Sequence, residues 1–239
     1  MSGMSDDRQL AEALEAIRSA HVDGDGACDF TAMVHSREHG RLAAMLGSLA
    51  DYDPRRMRLP AQNAFWLNLH NACVLRDALE LDVEGFAARS RVRVAGRSWS
   101  LGDIEHGLLR GKMKRSDPRL AYMPVAYDER MHFAIYTARR SSPPLRVFLA
   151  DQLERQLELA TEHYLRATVQ TRDEQFRVKL VVPELFRRYG EDFGDERDVL
   201  EFVLARLDDQ VAELVDRRDG RVKFKYLVYD PAPNLRRSR

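Results

Sequence analysis

The sequence predicts an α+β fold, a single globular domain with N-terminal helices and a small sheet, and three observations carry that expectation. Helical and strand-like periodicities occur in one chain without the regular alternation that a doubly wound parallel sheet requires. Hydrophobic residues make up 44% of the chain and charged residues 32%, a balance that supports a packed core and excludes general disorder. At 239 residues such a core forms without disulfide or metal staples.

Leu10, Leu14 and Ile17 recur at helical spacing between about Asp7 and Ala20, giving a first helix that ends near the turn Asp23 to Gly26. A second helical pattern runs from Arg37 to Ala50 and stops at Asp51 to Asp53, because Pro54 lacks an amide and restricts the residue before it. Residues 1–59 are therefore expected to form an N-terminal helical segment packed on a main domain of residues 60–234, with a frayed tail at 235–239. From Pro60 to about Leu81, a proline suited to the first turn precedes an apolar face of Phe65, Leu69, Ala72 and Leu79.

Between Val92 and Trp99, alternation interrupted by Ala95-Gly96 predicts a hairpin, after which Ser100 caps a helix from Leu101 to Arg110. His132 to Tyr136 reads as a short buried strand followed by a basic, serine-containing turn and Pro143-Pro144. Helical spacing returns from Asp151 to Leu165, and Arg177 to Val182 reads as a strand. Pro183 starts a short helix with Leu185, Phe186 and Tyr189 that Gly190 terminates. One amphipathic helix from Arg197 to Val215 then leads through Asp219-Gly220 to a strand from Val222 to Leu227.

Lysine plus arginine and aspartate plus glutamate both total 38, so net charge favours neither nucleic acid nor an anionic membrane as a partner. The two cysteines, Cys28 and Cys73, have no finger-like spacing and indicate neither a disulfide scaffold nor a metal site. The first residues carry acids where a signal peptide needs bases, and no apolar run approaches a membrane span. The expected setting is the cytoplasm, with a small-molecule or peptide ligand and no nucleic acid, membrane or cofactor; whether a protein partner exists is left open.

Four segments occur in a fixed order: NAFWLNLHNA (63–72), LGDIEHGLLR (101–110), MHFAI followed by SSPPLR, and VVPELFRRYGEDFG. With the closing YLVYDPAPN (226–234) they resemble the family called domain of unknown function 547. The resemblance implies, by weak analogy, an architecture like that of papain and transglutaminase. Relatives usually carry cysteines where this chain has Thr137 and Ser142, so the nucleophilic or redox chemistry that such thiolates would invite is weakened here.

Ser142 can be read as a nucleophile with His132 or His106 as base and Asn71 or Asp103 orienting that base, or as a turn residue preparing a helix start at Pro143. A serine needs a stronger base than a cysteine, which makes the turn reading the plainer one. His106 and His132 can each serve as acid or base, or bond a backbone carbonyl in the core. Asn63, Asn68 and Asn71 stand where helices disfavour asparagine. They either line a polar pocket or tie loops to the helix through buried amides.

Arg110 and Arg146, within a basic set that includes Lys112, Lys114, Arg115, Arg119, Arg139 and Arg140, are candidate ligand contacts or a solvated face. His35-Ser36-Arg37-Glu38-His39 has the spacing of an inverted zinc-peptidase motif, but no further acidic ligand stands out, and no metal is expected. Cys73 reads as a small core hydrophobe. Together these observations favour a catalytically silent or atypical binding module, because the usual cysteines are replaced. The alternative is an acyl transferase or amide hydrolase using Ser142 with a histidine base.

Overall fold

A computed structural model describes residues 6–24, 26–80, 85–124 and 127–236. The architecture is α+β, and the chain clusters into two compact units. One holds the residues up to Leu157 together with those from Pro231, and the other holds Glu158–Asp230. The first contains α1 (Asp6–His21), α2 (Phe30–Val34), α3 (Arg37–Ser48), α4 (Leu59–Arg76), α5 (Phe86–Arg89), β1 (Arg91–Val94) and β2 (Arg97–Ser100). A π-helical turn (Asp103–Leu109), a 3-10 turn (Glu129–Phe133) and the start of α6 (Leu153–Thr168) follow. The second unit holds β3 (Gln170–Glu174), β4 (Arg177–Val182), α7 (Leu185–Arg188), α8 (Gly190–Phe193), α9 (Glu196–Leu204), α10 (Asp209–Asp216) and β5 (Val222–Tyr226).

The first unit is built around α4. Every residue from Asn63 to Leu75 is buried, so the helix is enclosed on all sides rather than amphipathic. Helices α1 and α3 pack against it and against each other. The β1–β2 hairpin contributes Trp99, which lies 5.0 Å from Trp66 and 5.4 Å from Tyr122 by ring centroids, extending the core from α4 into an aromatic stack. Ser100 and Asp103 cap each other's backbone amides at 3.0 and 2.9 Å, as the capping expectation at Ser100 requires.

In the second unit β3 and β4 pair antiparallel and β5 joins β4 in parallel, giving the order β3-β4-β5. Val178, Leu180 and Val182 bury one face of β4, as its alternating pattern dictates. No helix among the described residues is long and apolar enough to cross a membrane.

Several local expectations are corrected. His132 to Tyr136 is not a strand: residues 129–133 form a 3-10 turn, and the amide of Asn71 supplies the partners that a neighbouring strand would have given to Ala134 and Tyr136. The helix after Ser100 is π-helical over Asp103–Leu109, with the Arg110 amide donating to the Glu105 carbonyl at 3.0 Å. A Cβ at Gly107 would stand 2.9 Å from the Met113 methyl carbon, the mobile end of that side chain.

Arg197 to Val215 is two helices, α9 and α10, separated where Asp208 takes an extended ψ of 146°. Gly190 opens α8 instead of ending α7. Helix α4 stops at Arg76, leaving Leu79 64% exposed, and the remainder of the expected helix at 81 lies outside the described residues. Pro143 starts no helix, and α2 and β3 carried no sequence signal that the periodicity resolved. Leu235 and Arg236, expected to fray, are held by hydrogen bonds to Pro233 and Cys28; residues 237–239 lie outside the described residues.

Candidate functional site

Two of the three asparagines on α4, Asn68 and Asn71, close backbone. Asn71 is fully buried: its Nδ2 donates to the Ala134 carbonyl at 3.0 Å, and its Oδ1 accepts from the Tyr136 amide at 2.9 Å. Asn68 does the same for one residue, its Nδ2 donating to the Phe148 carbonyl at 2.8 Å and its Oδ1 accepting the Phe148 amide at 2.9 Å. From the other side Gln156 accepts the Leu149 amide at 2.7 Å and donates to the Val147 carbonyl at 3.1 Å. Irregular segments that lack a neighbouring strand are thus satisfied by side-chain amides, which have the donor and acceptor of a peptide unit. Asn63 stands apart, its buried Oδ1 having no hydrogen-bond partner among the described residues.

Ser142 lies in a locked turn. Its Oγ accepts the Thr137 amide at 2.9 Å and donates to the Pro143 carbonyl at 2.9 Å, while its own amide donates to the Arg139 carbonyl. Both hydroxyl functions are therefore engaged by backbone, and no imidazole bonds to Ser142 among the described residues. The turn is fixed from outside by the C-terminal segment: Arg140 donates to Ala232, Asn234 donates to Ala138, and Cys28 donates to Asn234. Gly26 fits beneath it with φ +77°, where a Cβ would stand 3.4 Å from the Pro144 Cα. His132 is buried beside Tyr127, with Nε2 3.4 Å from the phenol oxygen.

His106 lies elsewhere, on the π-helical turn. Its side chain is 48% exposed, with Nδ1 3.2 Å from Arg110 Nη1 and 3.6 Å from Glu105 Oε1. Close enough to act on it by charge is His70, which sequence reasoning passed over although it stands between Asn68 and Asn71. His70 is buried, and its Nδ1 lies 3.3 Å from Asn71 Oδ1. Burial holds its pKa below the ordinary imidazole value, opposed by the charge of Glu105 and the Asn71 contact and helped by His106.

Arg119, from the basic stretch, is bound bidentately to Asp103 and also to Asp117, and its guanidinium stacks 5.1 Å from the Trp99 ring. Hydrogen bonding to Arg119 holds the Asp117 carboxyl down at about 2. Arg146 is half-buried, and burial together with the nearby charge of Arg18 lowers its pKa.

The sequence-predicted residues thus separate: Ser142 and His132 belong to the turn region, His106 and Arg110 to the π-helical turn, and Asn71 to the core. Of these residues Asn68 lines a cavity. That cavity is a groove of ≈ 950 Å³ between α1, α4 and residues 147–151. Ala11, Ala61, Ala64, Phe65 and Phe148 supply its apolar surface, and Asp7, Glu12, Glu15, Asp151, Arg8 and Arg58 its charges. Glu15 is paired with Arg18 at 2.6 Å, and the other five charged side chains have no ion pair among the described residues. The sequence signal for the groove was weak, since alanines facing one another across two helices look like ordinary core positions.

The His35 to His39 motif is otherwise engaged. Ser36 caps α3, His39 Nε2 lies 3.0 Å from the Arg76 carbonyl at the end of α4, and Glu38 faces His21 at 3.6 Å. Cys28 and Cys73 are free and buried, and burial pushes both thiols up to about 12. No group of histidine, cysteine and carboxylate side chains that could hold a metal occurs among the described residues.

No curated protein and no solved structure matches the chain. Residues 54–165, from the turn before α4 into α6, match the family described as Protein of unknown function, DUF547, and it is this family that the chain resembles.

Proposed function

We propose that this chain is a catalytically silent binding module and that its ligand is a short peptide held in the groove between α1, α4 and residues 147–151. One observation carries the reading: the groove joins an apolar floor to charged side chains of both signs, five of which lack ion pairs among the described residues. A peptide brings the same combination, an apolar body with charges of both signs. Recognition by strand addition is disfavoured, because the backbone groups of Phe148 and the Leu149 amide are already bonded to Asn68 and Gln156. The engagement of the Ser142 hydroxyl by Thr137 and Pro143 weighs against acyl transfer or amide hydrolysis. The two free thiols agree with a reducing compartment such as the cytoplasm.

The test is an array of short peptides of varied sequence probed with the full chain and with Ala61→Trp, which fills the groove from α4. Selective peptide binding that Ala61→Trp abolishes, with an unchanged melting curve, is the expected result. A serine-directed acylating probe that labels the wild type but not Ser142→Ala would overturn the reading in favour of an acyl transferase or hydrolase.

A further inference from the structure

The second unit carries a charge distribution that the neutral composition conceals. In the β3–β4–β5 register Arg172 stands opposite Lys179, and Lys179 stands opposite Lys223. Opposite residues share a face, so three cations form a row across three strands. One step along, Lys225 stands opposite Val181, and one step the other way Glu174 stands opposite Arg177. The reverse face of β4 is the buried row Val178, Leu180 and Val182, which fixes the charged row on the outside.

Five cations, Arg172, Arg177, Lys179, Lys223 and Lys225, thus share a face with one carboxylate, Glu174, which is bonded to Arg177 at 2.9 Å. Arg172, Lys179, Lys223 and Lys225 have no ion pair within the unit. Like charges directly opposite one another destabilise a strand pair, so the row is not explained by the stability of the sheet. In a chain with 38 residues of each sign, it is not explained by composition either.

We infer that this outward sheet face is a docking surface for an anionic lipid membrane. A membrane presents negative charge as an extended plane, and the face presents its cations in two dimensions, across strands and along them. Phe176, in the turn joining β3 to β4, is 68% exposed at the end of the face, where an aromatic ring can enter the interfacial layer. Nucleic acid is the poorer complement: Phe224 and Tyr226 have the opposite parity to Lys223 and Lys225, so no aromatic ring is interleaved with the cations of β5 for base stacking.

Cosedimentation of the full chain with phosphatidylcholine vesicles containing about 30% phosphatidylserine tests the inference. Binding is expected to these vesicles and not to pure phosphatidylcholine, and to weaken when salt is raised from about 0.1 M to about 0.5 M. Each cation removed is expected to weaken it about 5-fold, so the double variant Lys179→Gln/Lys223→Gln binds about 25-fold more weakly. Phe176→Ser is expected to weaken binding at both salt concentrations. Equal binding by wild type and double variant, or no preference for the anionic vesicles, would overturn the inference. So would capture of a single-stranded oligonucleotide through Lys179 and Lys223 without vesicle binding.

Discussion

The two units satisfy backbone outside their helices in opposite ways. In the first, the segments at 134–136 and 147–149 have no strand beside them and are closed by Asn71, Asn68 and Gln156. In the second, β3, β4 and β5 close one another through a regular ladder. The difference teaches where polar residues are constrained. When side chains replace a ladder, particular amides must be buried and cannot be exchanged. A ladder leaves the outward side chains with no structural duty, and there the cations of the second unit have collected.

The sharpest way to break the comparison is Asn71→Leu. It leaves the Ala134 carbonyl and the Tyr136 amide unsatisfied in the core and is expected to lower unfolding stability by about 2–6 kcal/mol, read from urea denaturation. Arg172→Gln on β3 should stay within about 0.5 kcal/mol of wild type in the same assay. Equal losses at the two positions would show that the amides are not structural substitutes for strands.

Ser142→Ala comes next in size. It removes the acceptor of the Thr137 amide within a turn that the C-terminal segment also holds, and it should reduce stability by about 1–3 kcal/mol. A stability unchanged by this variant would free the hydroxyl for another role.

A pH titration sharpens the comparison further. Because burial lowers the pKa of His70 in the folded chain, the unfolded state binds the proton first as pH falls. Stability from the neutral imidazole is therefore complete above the unfolded value of about 6.5 and declines as pH drops from there toward the lower folded value. His70→Gln should remove that part of the acid dependence in melting curves taken across the range. An identical pH profile in the variant would place the titrating group elsewhere.

The smallest effect carries the opposite sign. Lys223→Gln relieves the like-charge contact with Lys179 and should raise stability by about 0.2–1 kcal/mol, measured by chemical denaturation at low salt, where the repulsion is least screened. A loss of stability would mean that the row supports the sheet and would leave less reason to seek a partner for it.

By itself the sequence determined the parts whose signal is local. The apolar spacing of Leu10, Leu14 and Ile17 places α1, the Ala95-Gly96 interruption places the β1–β2 hairpin, and Ser100 with Asp103 marks the start of the next helix. The cluster of asparagines on α4 identified the helix that matters, and the reading that they tie loops to it holds for Asn68 and Asn71. What remained illegible depends on partners distant in the chain. The residues that Asn71 closes are more than sixty positions away, and their burial gave 132–136 the appearance of a strand without one to pair with.

Tertiary structure alone decided that Ser142 bonds to backbone, that His106 is separated from it on a π-helical turn, and that Asn68 lines the groove. It also decided that a neutral composition is locally uneven. Charge is additive along a sequence, but register determines which charges face one another, and the register of β5 on β4 is set by pairing between strands distant in the chain.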